Sequence, residues 1–208
     1  MTGAIAGLYA ITSSALQPGD QLQQAVAAAI RGGAQVVQYR DKSADAGQRQ
    51  TAAAALADLC RAAGVYFIVN DDVALAAAVG ADGVHIGQDD AGIAAARAQL
   101  GPQAIIGVSC YNSLERAADA LAAGADYLAF GSVYPSPTKP EAVHAPLSLF
   151  AGARELTDRP LVAIGGINSD NAATVRAAGA DAVAVIEGVF GANDIELAAA
   201  AIAKQFND

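Results

Sequence analysis

Cysteine is scarce: only Cys60 and Cys110 occur in 208 residues. Two thiols in a chain this long do not make a disulfide framework, so a reduced, cytoplasmic setting is the simpler expectation. Basic residues are also few. Twelve Lys and Arg stand against 21 Asp and Glu, a net charge of −9 with a pI near 4.5. That balance excludes nucleic acid and anionic membrane surfaces as partners, because both need a basic face. It leaves room for small anionic substrates, which need only a local cluster of cations, part of which a bound metal can supply. Mean hydropathy is +0.32, yet no apolar run reaches the roughly 18 residues that span a bilayer. No Lys or Arg precedes the apolar stretch within Met1 to Tyr9, so no signal peptide is expected. No linker, charge block or low-complexity tract divides the chain. One domain over residues 1–208, with a sizeable core, is expected.

Hydrophobic residues make up 54% of the chain. Many are Ala, which favours helices wrapped around something more strongly apolar. One pattern recurs: an Ala-rich helical stretch ends in Gly, a short apolar β-type run follows, then a polar residue. Gly-Ala-Asp appears at Gly80–Asp82, Gly124–Asp126 and Gly179–Asp181, with Gly33-Ala34-Gln35 as a looser copy. A Gly after the last helical turn can take the left-handed cap conformation and release the chain into a strand. Strands are predicted at Leu8–Thr12, Val36–Arg40, Tyr66–Asn70, Gly83–Ile86, Ala104–Ser109, Tyr127–Gly131, Leu161–Gly165 and Ala182–Ile186. Helical segments between them include Asp20–Arg31, Gln48–Ala63, Ala91–Leu100, Leu114–Ala123 and Asn171–Ala178. The strands are apolar on both faces, as a parallel sheet covered by helices requires. Eight units in 208 residues average about 26 each, close to the roughly 30 of a βαβ repeat. A closed (β/α)8 barrel, the TIM-barrel architecture, fits best. An open doubly wound sheet usually carries a Gly-rich turn after its first strand, and Thr12-Ser13-Ser14-Ala15 has none.

Functional residues of such barrels stand at the C-terminal ends of the strands. After the second strand comes Gln38-Tyr39-Arg40-Asp41-Lys42. Strand alternation sends Gln38, Arg40 and Lys42 to one side, where a guanidinium fork and an ammonium make an anion site. A solvated loop with incidental charges is the alternative. After the third and fourth strands come Asn70-Asp71-Asp72 and Gly87-Gln88-Asp89-Asp90. Neighbouring carboxylates repel unless a cation lies between them, and beside phosphates that cation is usually Mg²⁺. The same residues could cap helices, and spacing alone leaves both readings open, although Asp72 and Asp89 suit capping or solvent exposure better. Ser109, after the fifth strand, can donate to an anion or cap a helix. Cys110 lacks an obvious His partner and reads as core or rim.

After the sixth strand a long segment, Gly131 to Pro140, carries three prolines and continues to about Pro146 without helical periodicity. Such loops in compact barrels usually form lids or binding loops, and proline lowers the entropy lost on closure. Ser136, Thr138 and Lys139 offer two hydroxyls and a cation, with Pro137 between them. Gly165-Gly166 and Ile186-Glu187-Gly188 follow the last two strands, where bare backbone N–H groups can reach a phosphate or simply form tight turns. His85, inside the fourth strand, reads as packed and hydrogen-bonded; His144, in the long loop, reads as a surface residue.

Gln-Tyr-Arg-Asp-Lys, Asn-Asp-Asp, His-Ile-Gly-Gln-Asp-Asp, Gly-Val-Ser, Tyr-Pro-Ser-Pro-Thr-Lys and Ile-Gly-Gly-Ile follow one another at successive strand ends. This ordered set resembles the thiamine-phosphate synthase family from Leu8 to about Gly191. The resemblance implies a transferase of thiamine biosynthesis. Hydroxymethylpyrimidine diphosphate and a thiazole phosphate, its carboxylated form included, would give thiamine phosphate and pyrophosphate. Carried over, Gln38, Tyr39, Arg40, Asp41, Lys42, Asn70, Ser109 and Lys139 would hold the pyrimidine diphosphate. Asp71 and Asp90 would bind Mg²⁺. Ser136, Pro137, Thr138, Gly166, Ile186 and Glu187 would line the thiazole phosphate site. Arg40, Lys42, Ser109 and Lys139 would be the catalytic groups.

The chain departs from the family at Glu187, where Ser is frequent, at Ser132, where Pro is common, and at Ser136, where Thr is common. A carboxylate at residue 187 would repel phosphate unless it turned outward and left only its N–H. The implied chemistry is charge neutralisation of departing pyrophosphate, which needs no strong general base. Rival readings are a barrel that aromatises the thiazole carboxylate phosphate, which needs an acid–base pair and no diphosphate clamp, and a non-catalytic thiamine-phosphate-binding barrel. A sugar-phosphate isomerase is disfavoured because the cations occupy two different loops. Partners are expected to be small molecules, and homo-oligomerisation stays open.

Overall fold

The computed structural model describes residues 5–17, 19, 21–42, 45–87, 92–135 and 143–206. Eight strands follow one another around a closed barrel, each parallel to the next, with β8 returning to β1. They are β1 (Gly7–Ile11), β2 (Ala34–Tyr39), β3 (Tyr66–Asn70), β4 (Gly83–Ile86), β5 (Ile105–Tyr111), β6 (Tyr127–Gly131), β7 (Leu161–Ile164) and β8 (Ala182–Val185). The helices of the outer layer are α1 (Gln21–Arg31), α2 (Ala46–Ala63), α3 (Val73–Val79), α4 (Ile93–Leu100), α5 (Leu114–Ala122), α6 (Leu149–Leu156) and α7 (Ala172–Ala177). After β8 come a four-residue helix, α8 (Glu187–Phe190), and α9 (Ile195–Ala203). The expected (β/α)8 barrel is the observed one, with strand and helix ends displaced by a residue or two. No helix among the described residues is long and apolar enough to cross a membrane.

The period of two along each strand sorts side chains into two separate cores. Tyr9, Ile11, Val36, Ile68, Tyr127, Ala129, Val162, Ala182 and Ala184 fill the barrel interior. Their neighbours Leu8, Val37, Phe67, Val84, Leu128, Phe130, Leu161 and Val183 face outward and meet the helices. Both groups are buried. This is why the strands read as apolar throughout. A Cβ built on Gly107 would lie 1.9 Å from Cζ of Tyr127. Glycine on β5 thus gives a large phenol room to cross the barrel interior.

The recurring Gly-Ala-Asp has a structural cause. Its glycine has positive φ in each copy, 61° at Gly80, 93° at Gly124 and 105° at Gly179. The aspartate then accepts an amide from the first or second residue of a neighbouring strand. Asp82 takes Phe67 N–H at 2.7 Å, Asp126 takes Ile106 N–H at 2.9 Å, and Asp181 takes Leu161 N–H at 2.7 Å. An arginine from the helix layer reaches two of these carboxylates: Arg97 to Asp126 at 2.6 Å and Arg154 to Asp181 at 2.5 Å. These clamps close the N-terminal end of the barrel and leave the opposite end open for chemistry.

Candidate active site at the C-terminal ends of the strands

A cavity of about 770 Å³ opens at the C-terminal ends of the strands. That lies within the roughly 300–1,000 Å³ of small-molecule sites. Gln38 and Arg40, Asn70, Ser109, Gly166, Ile186 and Glu187 all line it. The structure therefore brings together residues from the ends of β2, β3, β5, β7 and β8 that the sequence assigned to two substrates.

Arg40 stands one residue beyond β2, and its backbone is fixed from the neighbouring strand. Its N–H donates to Thr12 Oγ1 at 2.9 Å, and Thr12 N–H donates to Gln38 O at 2.9 Å. Thr12 itself is buried. The five-residue run 38–42 does not act as one face. Gln38 and Arg40 line the cavity, whereas the Tyr39 ring packs in the outer core with its hydroxyl on Asp41 Oδ2 at 3.1 Å. Burial, with the Asp41 charge beside it, pushes the Tyr39 phenol up from its ordinary value. Asp41 is half-buried and Lys42 exposed, and neither is among the cavity-lining residues.

Asp71 carries an unusual backbone. Its φ is 63°, in a region that non-glycine residues occupy sparsely and that clusters at functional sites. Its N–H donates to His85 O at 2.8 Å, and Asn70 Nδ2 donates to its Oδ2 at 2.5 Å. The carboxylate is exposed beside the cavity residue Asn70. Asp72 does what the capping reading expected: its carboxylate accepts from Leu75 N–H at 2.9 Å at the start of α3. Asp89 and Asp90 lie outside the described residues, as do Ser136, Pro137, Thr138 and Lys139. Among the described residues, no three His, Cys, Asp or Glu side chains group as metal ligands.

Across the cavity from Arg40, the loops after β6, β7 and β8 interlock. Gly165 and Gly166 both have positive φ, 105° and 62°. A Cβ on Gly165 would sit 2.0 Å from Ser132 Oγ, and one on Gly166 would sit 2.4 Å from Pro135 O. Val133 and Tyr134 N–H donate to Ile164 O and Gly165 O at 3.0 and 3.1 Å. The two legs of the long loop pair through Ser132 N–H to Val143 O and Ala145 N–H to Ser132 O, each at 2.9 Å. His144 is exposed, as expected, with Nδ1 3.2 Å from Ser132 O. Glu187 begins α8, and its carboxylate folds back along that helix: a Cβ on Gly191 would lie 2.6 Å from Oε1. The carboxylate thus lies along the helix while the residue lines the cavity.

The floor of the cavity is a polar network contributed by five strands. Gln38 Nε2 donates to Tyr9 OH at 2.8 Å, and Tyr9 OH meets Tyr127 OH at 2.8 Å. Tyr127 OH lies 2.9 Å from His85 Nδ1, and His85 Nε2 lies 2.9 Å from Ser109 Oγ. Burial raises both interior phenols well above their ordinary value, so both hold their protons. His85 is hydrogen-bonded, as the sequence suggested, and also lines the cavity. Tyr9 and Tyr127 belong to no motif. Alternation alone could have found them, since each shares a strand face with other interior residues. Cys110 is fully buried, with its thiol pushed up to about 12 by burial, which suits the core and not nucleophilic work.

Comparison with known proteins places the chain. The family model described as thiamine monophosphate synthase matches residues 8–189. A protein named thiamine-phosphate synthase from Thioalkalivibrio sulfidiphilus is 57% identical over 200 residues, covering 96% of this chain and 95% of the relative. Another of that name from Halorhodospira halophila is 55% identical, covering 97% of this chain and 95% of the relative. Among solved structures, thiamine phosphate pyrophosphorylase from Pyrococcus furiosus superposes with a TM-score of 0.87 at 39% identity, covering 97% of this chain and 95% of that one.

Proposed function

The chain belongs to the thiamine monophosphate synthase family, and from that premise we propose that it couples hydroxymethylpyrimidine diphosphate with a (carboxy)thiazole phosphate, forming thiamine phosphate and releasing pyrophosphate, with CO2 as well where the thiazole carries the carboxyl group. The observation that carries this reading is the cavity itself, which the Gln38–Arg40 strand end and the Gly166 and Glu187 loops line together. Each of these two linings would meet one anionic substrate.

In the proposed reaction the methylene C–O bond of the diphosphate breaks and its electron pair leaves on pyrophosphate. The electron-rich aminopyrimidine carries the resulting positive charge, and the thiazole nitrogen then gives its lone pair to the methylene carbon. Protein groups are needed mainly to hold the leaving charge. Arg40 supplies a bidentate fork to phosphate oxygens, with Lys42 and, from the long loop, Lys139 as point charges. Gln38, Asn70 and Ser109 orient the pyrimidine diphosphate, with Tyr39 and Asp41 supporting that strand end from behind. Ser136, Pro137, Thr138, Gly166, Ile186 and the backbone of Glu187 receive the thiazole phosphate. The exposed carboxylate of Asp71, held by Asn70 beside the cavity, fits a hard cation that takes one or two carboxylates plus phosphate oxygens. With Asp90 it would hold Mg²⁺, which would supply further charge neutralisation to the leaving pyrophosphate.

Purified protein given both substrates and Mg²⁺ is expected to yield pyrophosphate and thiamine phosphate in equal amounts. Omitting either substrate, or chelating the metal with EDTA, should stop both products. Conversion of the thiazole carboxylate phosphate alone, or tight binding of thiamine phosphate without turnover, would overturn the reading in favour of a tautomerase or a binding barrel.

A further inference from the structure

The floor network has one assigned donor, the Gln38 amide. A neutral phenol has one hydrogen to give, and the amide of Gln38 donates into Tyr9 OH. Either hydroxyl can donate in the 2.8 Å contact of Tyr9 with Tyr127; an order that begins at Gln38 gives the Tyr9 hydrogen to Tyr127. In that order Tyr127 passes its own hydrogen to His85 Nδ1, 2.9 Å away. A nitrogen that accepts carries no hydrogen, so an imidazole in its neutral form would then hold its proton on Nε2 and donate it to Ser109 Oγ at 2.9 Å. Ser109 would thereby be given a hydrogen and keep its own. The chain of donors runs Gln38, Tyr9, Tyr127, His85, Ser109, and it ends at the cavity wall. Burial of both phenols, which holds them protonated, keeps the hydrogen count intact.

We propose that His85 is a positioning residue: the one-way chain from Gln38 locks its proton on Nε2 and so fixes Ser109 as a hydrogen-bond donor toward an acceptor atom of the pyrimidine diphosphate. The identity of that ligand rests on the coupling activity proposed above; the tautomer does not. If the chain ran the other way, Ser109 would give its hydrogen to His85 and could only accept from the ligand. The geometry therefore determines which polarity of ligand atom the serine recognises. Tyr127 is the element the lock depends on, because its hydrogen is the one His85 Nδ1 receives.

The test reads the tautomer directly. The chain has two histidines, His85 and His144, so a His144→Gln variant labelled with ¹⁵N gives imidazole signals from His85 alone. At a pH where the ring is neutral, Nδ1 is expected at the unprotonated position and Nε2 at the protonated one, without any substrate present. Tyr127→Phe keeps the ring and removes the hydroxyl, and is expected to release the lock and yield a tautomer mixture. Turnover should fall at least about tenfold in that variant, through the lost Ser109 donor. The same change made in a Ser109→Ala background should cause no further fall in kcat. Tyr9→Phe should have the smaller effect, because Tyr127 still has a hydrogen for His85. A wild-type proton on Nδ1 overturns the proposal, and so does a Tyr127→Phe loss that adds in full to the Ser109→Ala loss. Absence of coupling activity in the wild type would overturn the proposed function while the imidazole signals still decide the tautomer.

Discussion

Arg40 is the only Lys or Arg among the described residues that lines the cavity, and Thr12 holds its backbone from β1 at 2.9 Å. A fork on a fixed stem should matter through geometry as well as charge. Arg40→Ala is expected to lower kcat/KM by about 10²-fold, with Arg40→Lys recovering only part of it, as steady-state kinetics would show. Asp71 allows function to be separated from folding. Asn tolerates positive φ as Asp does, and the residue is exposed, so Asp71→Asn should leave the urea midpoint within about 0.5 kcal/mol of wild type. The Mg²⁺ concentration for half-maximal turnover should rise at least about tenfold if the carboxylate meets the ion. An unchanged Mg²⁺ response would remove Asp71 from the metal. Motifs revealed such residues because charge at a strand end is conspicuous in a sequence. Tyr39 shows where motif reading stops: it sits between two cavity residues, yet alternation turns its ring outward into the helix layer. Tyr9 and Tyr127 were hidden for the opposite reason, since an aromatic in an apolar run looks like core until its hydroxyl is traced to a partner.

At the scale of elements, the Gly-Ala-Asp copies do more than end helices. Each aspartate satisfies an amide at the start of a strand, and Asp126 also holds Arg97 at 2.6 Å and Arg159 at 3.5 Å. Asp126→Ala should leave the Ile106 N–H and the Arg97 guanidinium short of an acceptor. A cost of about 1–3 kcal/mol is expected, read as a lower urea midpoint with an unchanged slope. Breaking the Arg31–Glu196 pair is the contrast. It lies in solvent, with side chains 59% and 48% exposed, and its loss should cost well under about 1 kcal/mol. The strands were legible because each is a short apolar run bounded by glycine and a polar residue. Helix α8, of four residues, was not, because it is too short to establish a period. It forms where the chain turns out of β8, and that turn carries the Glu187 carboxylate toward Gly191. No one-dimensional pattern contains that direction.

The whole molecule stores a pH dependence in its buried thiols and phenols, two of which stand in the cavity floor. Cys60 and Cys110 are fully buried, and burial pushes both thiols up to about 12 from an ordinary value of 9.0. Burial likewise raises Tyr9, Tyr39 and Tyr127 above their ordinary 10.0. In each case the unfolded chain loses its proton at lower pH than the folded chain does. The native state therefore binds more protons between those values, and stability falls as pH rises through that window. Below about pH 8 all five groups are protonated in both states and contribute no slope. Thermal melts should accordingly be flat with respect to these groups near neutrality and shift downward from about pH 9. Each group adds at most about 1.4 kcal/mol per pH unit. Cysteine ionises first in the unfolded chain, so a Cys60→Ala, Cys110→Ala protein should hold its melting temperature until about pH 10, where the tyrosines take over. Cavity losses will lower the absolute Tm of that variant, but the onset of the decline is a separate reading. An onset that stayed at pH 9 without either thiol would show that other groups govern the alkaline limit.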